Sequence, residues 1–300
     1  MFLRVALCSI LLFSTLMGFA QNGKILSKRL VDISKTPIWN RIAPNGELKP
    51  AFKHVNDLNF YAITYLSDSI RVKGIIVEPK SEGIYPTIIL NRGGNRTFGQ
   101  LTIGTAVLFA SKLASAGYVI IGSNYRQEDE FGGTEINDVL NLFETIKEVP
   151  KADNENIGML GWSRGGMMTY LALTKTDKIK TAVVGNGATD LFNTLEFRPG
   201  METKVFAQCI PNYWENKEDE LKKRSAIYWT EKLDKNCSLL ILSGTKDQRV
   251  NPNQAVEMTK KLRAINYNVV HKTYETDHFF SDKKPELNRE LINWFDSKLK

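Results

Sequence analysis

From residue 60 onward, short apolar runs alternate with stretches whose apolar positions recur at helical spacing. The runs lie at 60–66, 71–78, 86–90, 118–122, 157–160, 181–184, 239–242 and 269–274, each bounded by glycine or polar residues. Runs of that length and punctuation suit strands buried on both faces. The first two flank Ser67-Asp68-Ser69 and, with their β-branched content, predict a hairpin. Among the later ones, Ile136, Val139, Leu140, Phe143 and Ile146 follow the helical repeat behind Thr134 as an N-cap. Val107, Leu108, Leu113 and Ala114 predict a further helix stopped by Gly117, and 165–173, 253–264 and 286–299 predict three more. Strands alternating with helices imply βαβ units. The expected class is therefore α/β, a mostly parallel sheet with helices on both faces and an antiparallel edge from the hairpin. Between 190 and 226 the alternation fails and aromatics mix with charges, the mark of an inserted lid. Residues 21–58 carry Pro37, Pro44, Asn45-Gly46 and Pro50 without periodicity, and read as an irregular extension ahead of a catalytic domain at 59–300.

Ahead of that extension, Arg4 precedes an apolar run at 5–19, and Gly18-Phe19-Ala20 closes it. A short positive region, an apolar core and a small-x-small site make residues 1–20 a secretory signal peptide. The run is short for a membrane span, so the expected product is exported, periplasmic or extracellular, with no stable membrane insertion after cleavage. Cys8 leaves with the leader, and Cys209 and Cys237 remain, with a disulfide between them left open by the oxidising compartment. Only three histidines occur, with no C-x-x-C or H-E-x-x-H spacing, so neither metal nor cofactor is expected. A content of 42% hydrophobic and 24% charged residues excludes a disordered chain. The net charge of +7 comes from scattered Lys and Arg, which fits a basic surface better than a nucleic-acid site.

The chemistry concentrates in Gly161-Trp162-Ser163-Arg164-Gly165-Gly166, which follows an apolar run and opens a helical pattern. A G-x-S-x-G in strand–turn–helix context is a nucleophile elbow: the tight turn lifts Ser163 above the sheet. It also leaves the Arg164 N–H at the start of a helix, aimed where an oxyanion would form. The base must follow the serine in this arrangement, which removes His54; His271, inside a strand, reads as structural, and His278 follows that strand on a loop. The acid belongs just beyond a late strand, where Asp247 stands; Asp190 and Asp277 are the rivals.

Gly161-Trp162-Ser163-x-Gly165-Gly166, Gly244-Thr245-x-Asp247-x-x-Val250 and Asp277-His278 together resemble the catalytic domain of the prolyl oligopeptidase serine peptidases, within the α/β-hydrolase superfamily. The separations of 84 and 31 residues between the three also look like that family. The resemblance covers roughly 60–300 and implies a triad of Ser163, Asp247 and His278. Two departures limit it. Residues 21–58 are too short for the family's β-propeller, and Arg92 stands where the family often offers a tyrosine as second oxyanion donor. The backbone of Arg92 or Gly93 is the alternative donor, and the Arg92 side chain either binds a substrate carboxylate or is braced by its neighbours. Trp162, Tyr125, Tyr213, Trp214 and Phe279 are candidate walls of an apolar cleft, and the acidic stretch 127–130 either holds a cationic substrate group or is solvated. The expected function is acyl-enzyme hydrolysis of small peptides or esters. A carboxylic-ester hydrolase, acting for example on acetylated carbohydrates, is the alternative; a non-catalytic binding protein on the same scaffold is the rival of another class.

Overall fold

The computed structural model describes residues 21–300; the expected signal peptide at 1–20 lies outside the described residues. Successive residues of each inner strand feed opposite cores. In β4 (Tyr85–Asn91), Ile88 and Leu90 join one apolar cluster while Ile89 joins the other; in β8 (Ser238–Gly244), Leu239 and Ile241 alternate with Leu240 and Leu242. A strand buried on both faces needs apolar residues at both parities, which is why these segments read as unbroken runs.

Among the described residues nine strands form one sheet in the order β1-β2-β3-β5-β4-β6-β7-β8-β9. The first three, β1 (Ile25–Leu30), β2 (Leu58–Ser67) and β3 (Ile70–Pro79), are antiparallel, and β3 meets β5 (Val119–Ser123) antiparallel. From β5 onward, through β4, β6 (Ala152–Trp162), β7 (Thr181–Gly185), β8 and β9 (Val269–Tyr274), every pairing is parallel. The α/β-hydrolase fold follows, a mostly parallel sheet with helices on both faces. β4 sits between β5 and β6. The chain leaves β4 through helices on one face (Ile103–Phe109, Ser111–Ser115) and leaves β5 through helices on the other (Ile136–Leu140, Leu142–Ile146). That divergence opens a crevice beyond the carboxyl ends of β4 and β6, where ligands bind in open α/β sheets.

Three elements depart from the sequence expectation. The extension is not wholly irregular, because β1 pairs along β2 at the sheet edge. The helix expected across 136–146 breaks at Asn141, whose side chain reaches out to Ser67 Oγ at 2.8 Å. The one expected before Gly117 breaks at Ala110, where Ser111 Oγ returns to the Val107 carbonyl at 2.6 Å, a back-bond that bends helices. The segment expected to form a lid folds as helices Leu191–Phe197 and Tyr213–Arg224, joined through a π-helical turn at Glu202–Phe206. Cys209 and Cys237 are free, buried thiols, so the disulfide left open by the sequence is not formed.

Candidate active site

β6 ends at Trp162 and the helix Arg164–Leu173 begins two residues later, so the whole reversal falls on Ser163, at φ 59° and ψ −123°. A non-glycine residue in that region carries strain of about 1–3 kcal/mol, which the packing around it must offset. The packing is close: a Cβ at Gly161 would collide with the Gly165 carbonyl, and one at Gly165 with the Asn91 carbonyl at the end of β4. Gly93 is likewise forced by proximity, since its own Cβ would stand 3.2 Å from the Ser163 Cβ. The backbone of the loop after β4 therefore passes directly beside the serine.

That loop is held by its carbonyls. The Tyr125 hydroxyl donates to Arg92 O at 3.1 Å, and the Arg92 guanidinium donates to the carbonyls of Gly93, Arg96, Phe98 and Asn124 at 3.0–3.1 Å. Four of its five N–H donors are thus spent on the protein, the braced arrangement rather than one open to a substrate carboxylate. Arg164 takes the Gly94 carbonyl at 3.1 Å and forms ion pairs with Asp129, at 2.6 Å, and with Glu135; all three side chains are buried. Burial works against charge on Asp129, but the Arg164 pair and backbone N–H donors outweigh it and hold its pKa below the ordinary carboxylate value. The stretch 127–130 is accordingly divided: Gln127 and Glu128 are solvated, while Asp129 is turned inward as the counter-ion of Arg164.

Across the crevice, β8 and β9 deliver Asp247 and His278 from their carboxyl ends. His278 Nδ1 lies 2.7 Å from Asp247 Oδ2, with both residues about 5% exposed or less. A carboxylate only accepts, so this bond keeps the proton on Nδ1 and leaves Nε2 as a lone-pair acceptor. The other Asp247 oxygen receives the N–H groups of Arg249 at 2.7 Å and Val250 at 3.0 Å, which fixes the carboxylate plane. The His278 loop is anchored by its own carbonyl, which accepts from Trp162 Nε1 at 2.8 Å and Asn186 Nδ2 at 2.9 Å; Asn186 Oδ1 in turn receives Gly244 N–H. The rival acids do other work: Asp190 caps the helix Leu191–Phe197, and Asp277 ties the N–H groups of Phe279 and Ser281. His271 donates to or accepts from Ser243 Oγ at 2.8 Å on the edge strand.

Ser163, Arg164, His278, Arg92, Gly93 and Trp162 all line one cavity of about 430 Å³. Of the candidate aromatic walls, Trp162 and Phe279 face it; Tyr125 lies beneath the guanidiniums of Arg92 and Arg164, Tyr213 packs on Phe206, and Trp214 is exposed. Phe98 and Phe131 take their place. Asn186 is the residue sequence reasoning missed; its Asn186-Gly187 pair after a strand marks a turn, and φ of 44° there is the conformation such a pair favours. Among the described residues no group of three His, Cys, Asp or Glu gathers in a way that would hold a metal ion.

Residues 104–300 match the model of the prolyl oligopeptidase family. An uncharacterized peptidase of Bacillus subtilis (strain 168), YtmA, is 26% identical over 250 residues, covering 80% of this chain and 95% of that protein. In fold the chain is similar to Pyrococcus horikoshii acylaminoacyl peptidase (TM-score 0.70, 22% identity, 85% of this chain and 45% of that one). It is also similar to a hyperthermophilic esterase from the archaeon Pyrobaculum calidifontis (TM-score 0.64, 17% identity, 79% and 85%). The chain thus spans less than half the length of the acylaminoacyl peptidase.

Proposed function

This chain belongs to the prolyl oligopeptidase family of serine hydrolases, and from that premise we propose that it is an exported hydrolase of small peptides or esters, working through an acyl-enzyme. Ser163 Oγ attacks the substrate carbonyl carbon while His278 Nε2 takes its proton. Asp247 holds the imidazole in the required tautomer and stabilises the imidazolium. The carbonyl oxygen becomes an oxyanion, held by the Arg164 N–H, which as first residue of its helix has no intrahelical acceptor, and by the Gly93 N–H as second donor. Collapse expels the amine or alcohol, which leaves with the proton from His278. Water then enters, gives its proton to the same nitrogen, and releases the acid and Ser163.

The observation that carries this reading is the buried His278–Asp247 bond on the same cavity wall as a serine held at the elbow. Hydrolysis of carboxylic esters, acetylated carbohydrates among them, is the second reading, favoured by the esterase whose whole length this fold nearly matches. Short-chain nitrophenyl esters and dipeptidyl nitroanilides, offered to the wild type and to Ser163→Ala, separate them. Turnover of amides that collapses in the variant supports the peptidase; turnover of esters alone supports the esterase; equal turnover by both proteins contradicts the acyl-enzyme. For export, the expected outcome is a secreted chain whose first residue is Gln21, and an intracellular chain starting at Met1 would contradict it.

A further inference from the structure

The charged residues on the cavity wall are all basic: Arg92, Arg164, Arg198, Arg249 and Lys284, with no aspartate or glutamate among the described lining residues. Two of these charges are answered by acids, and a third, Lys284, is engaged by a neutral carbonyl and the Phe109 ring. Arg92 and Arg164 lie over the same Tyr125 ring, and the two acids Asp129 and Glu135, both paired to Arg164, balance the two guanidiniums. Lys284 donates to the Phe279 carbonyl at 2.6 Å. Arg198 and Arg249 differ. The arginine ion pairs among the described residues belong to Arg126, Arg164 and Arg224. Arg198, just beyond the helix Leu191–Phe197, makes one side-chain hydrogen bond, from Nη1 to the Arg249 carbonyl at 3.2 Å, which joins the two residues at the cavity. Arg249 stacks its guanidinium on Phe279, next to His278, with 5.0 Å to the ring centroid. A stacked guanidinium is oriented without spending its N–H donors, and neither arginine has a carboxylate partner among the described residues.

We propose that this cavity selects substrates carrying an anionic group close to the scissile bond, a carboxylate or another oxyanion, held by Arg198 from the segment 190–226 and Arg249 from the loop that also carries Asp247. The inference rests on the hydrolase reading for its setting.

The test pairs the nitrophenyl monoester of adipic acid with its methyl-blocked, neutral counterpart, and succinyl-alanyl nitroanilide with its methyl ester. The acid of each pair is expected to show a kcat/KM about 10- to 100-fold higher, the range of one or two charge-assisted hydrogen bonds. In Arg198→Gln/Arg249→Gln that ratio falls toward unity, and Lys at both positions restores part of it. Arg249 is exposed and Arg198 half-buried, and a circular dichroism spectrum matching the wild type checks that the double variant folds. A ratio near unity in the wild type, or one unchanged in the double variant, overturns the proposal. A second readout needs no turnover: calorimetry on the Ser163→Ala protein with monomethyl and dimethyl adipate. Tighter binding of the acid, lost in the double variant, supports the proposal even if neither substrate is cleaved, an outcome that would sink the hydrolase reading alone. Equal binding of acid and diester overturns the proposal.

Discussion

The geometry of Ser163, Asp247 and His278 depends on the groups that surround each of them. His278 owes its tautomer to Asp247, so Asp247→Asn, which supplies a donor where an acceptor stood, is expected to move the proton to Nε2. Turnover should then fall by about 10⁴-fold with the fold intact. A matching circular dichroism spectrum with less than tenfold loss of kcat would contradict this. Arg164 shows the other side of burial: its side chain faces two buried carboxylates. Arg164→Ala strands both charges and is expected to cost about 3–5 kcal/mol in urea unfolding, the usual result of removing one partner from a buried pair. A loss below about 1 kcal/mol would mean that the network is not what braces the elbow. The three candidate triad residues were legible because a local motif, chain order and strand ends identify them. The roles of Asn186, Asp129 and Glu135 were not, although Asp129 stood in an acidic stretch, because they arise from contacts spanning 92, 35 and 29 residues that no local pattern records.

At the scale of elements, glycine is what lets β4, β6 and the elbow helix meet. A methyl group at Gly165 would sit on the Asn91 carbonyl, so Gly165→Ala is expected to destabilise the protein by about 3 kcal/mol or more, or to prevent soluble expression. A variant as stable as the wild type would show that the approach is not tight. On the opposite face, the 3-10 segment Pro50–Asp57 docks through His54, whose Nε2 lies 2.8 Å from Ser111 Oγ. Burial, with help from Lys112, lowers the His54 pKa to about 4. The folded state therefore resists protonation that the unfolded chain accepts near the ordinary histidine value, about 6.5. The stability it supports is present above about pH 6.5 and is lost as pH falls toward 4. His54→Gln is expected to flatten the urea midpoint between those pH values, and an unchanged slope would assign the acid sensitivity elsewhere. Inner strands were readable because burial on both faces writes an unbroken apolar run. The edge strand β1 was not, since five of its six residues are exposed and its sequence carries no alternation. Helix breaks at Ala110 and Asn141 escaped for a related reason: single side-chain hydrogen bonds cause them, while the apolar period runs on.

For the whole molecule, the sheet delivers all three candidate catalytic residues to one end because parallel strands end there. The divergence of the connections around β4 opens the crevice they share. The segment 190–226 packs over it, bringing Leu191, Met201 and Val205 to the apolar wall and Arg198 to the polar one. A cavity whose unanswered charges share one sign focuses an electrostatic field, so turnover of anionic substrates should weaken with added salt more than turnover of neutral ones. A covalent bond between Ser163 and the acyl group is tested most directly by a serine-directed fluorophosphonate followed by peptide mass spectrometry. The expected result is a single adduct on the peptide bearing Ser163, formed in step with loss of turnover. An unlabelled Ser163 in a protein that still hydrolyses its substrate would contradict it.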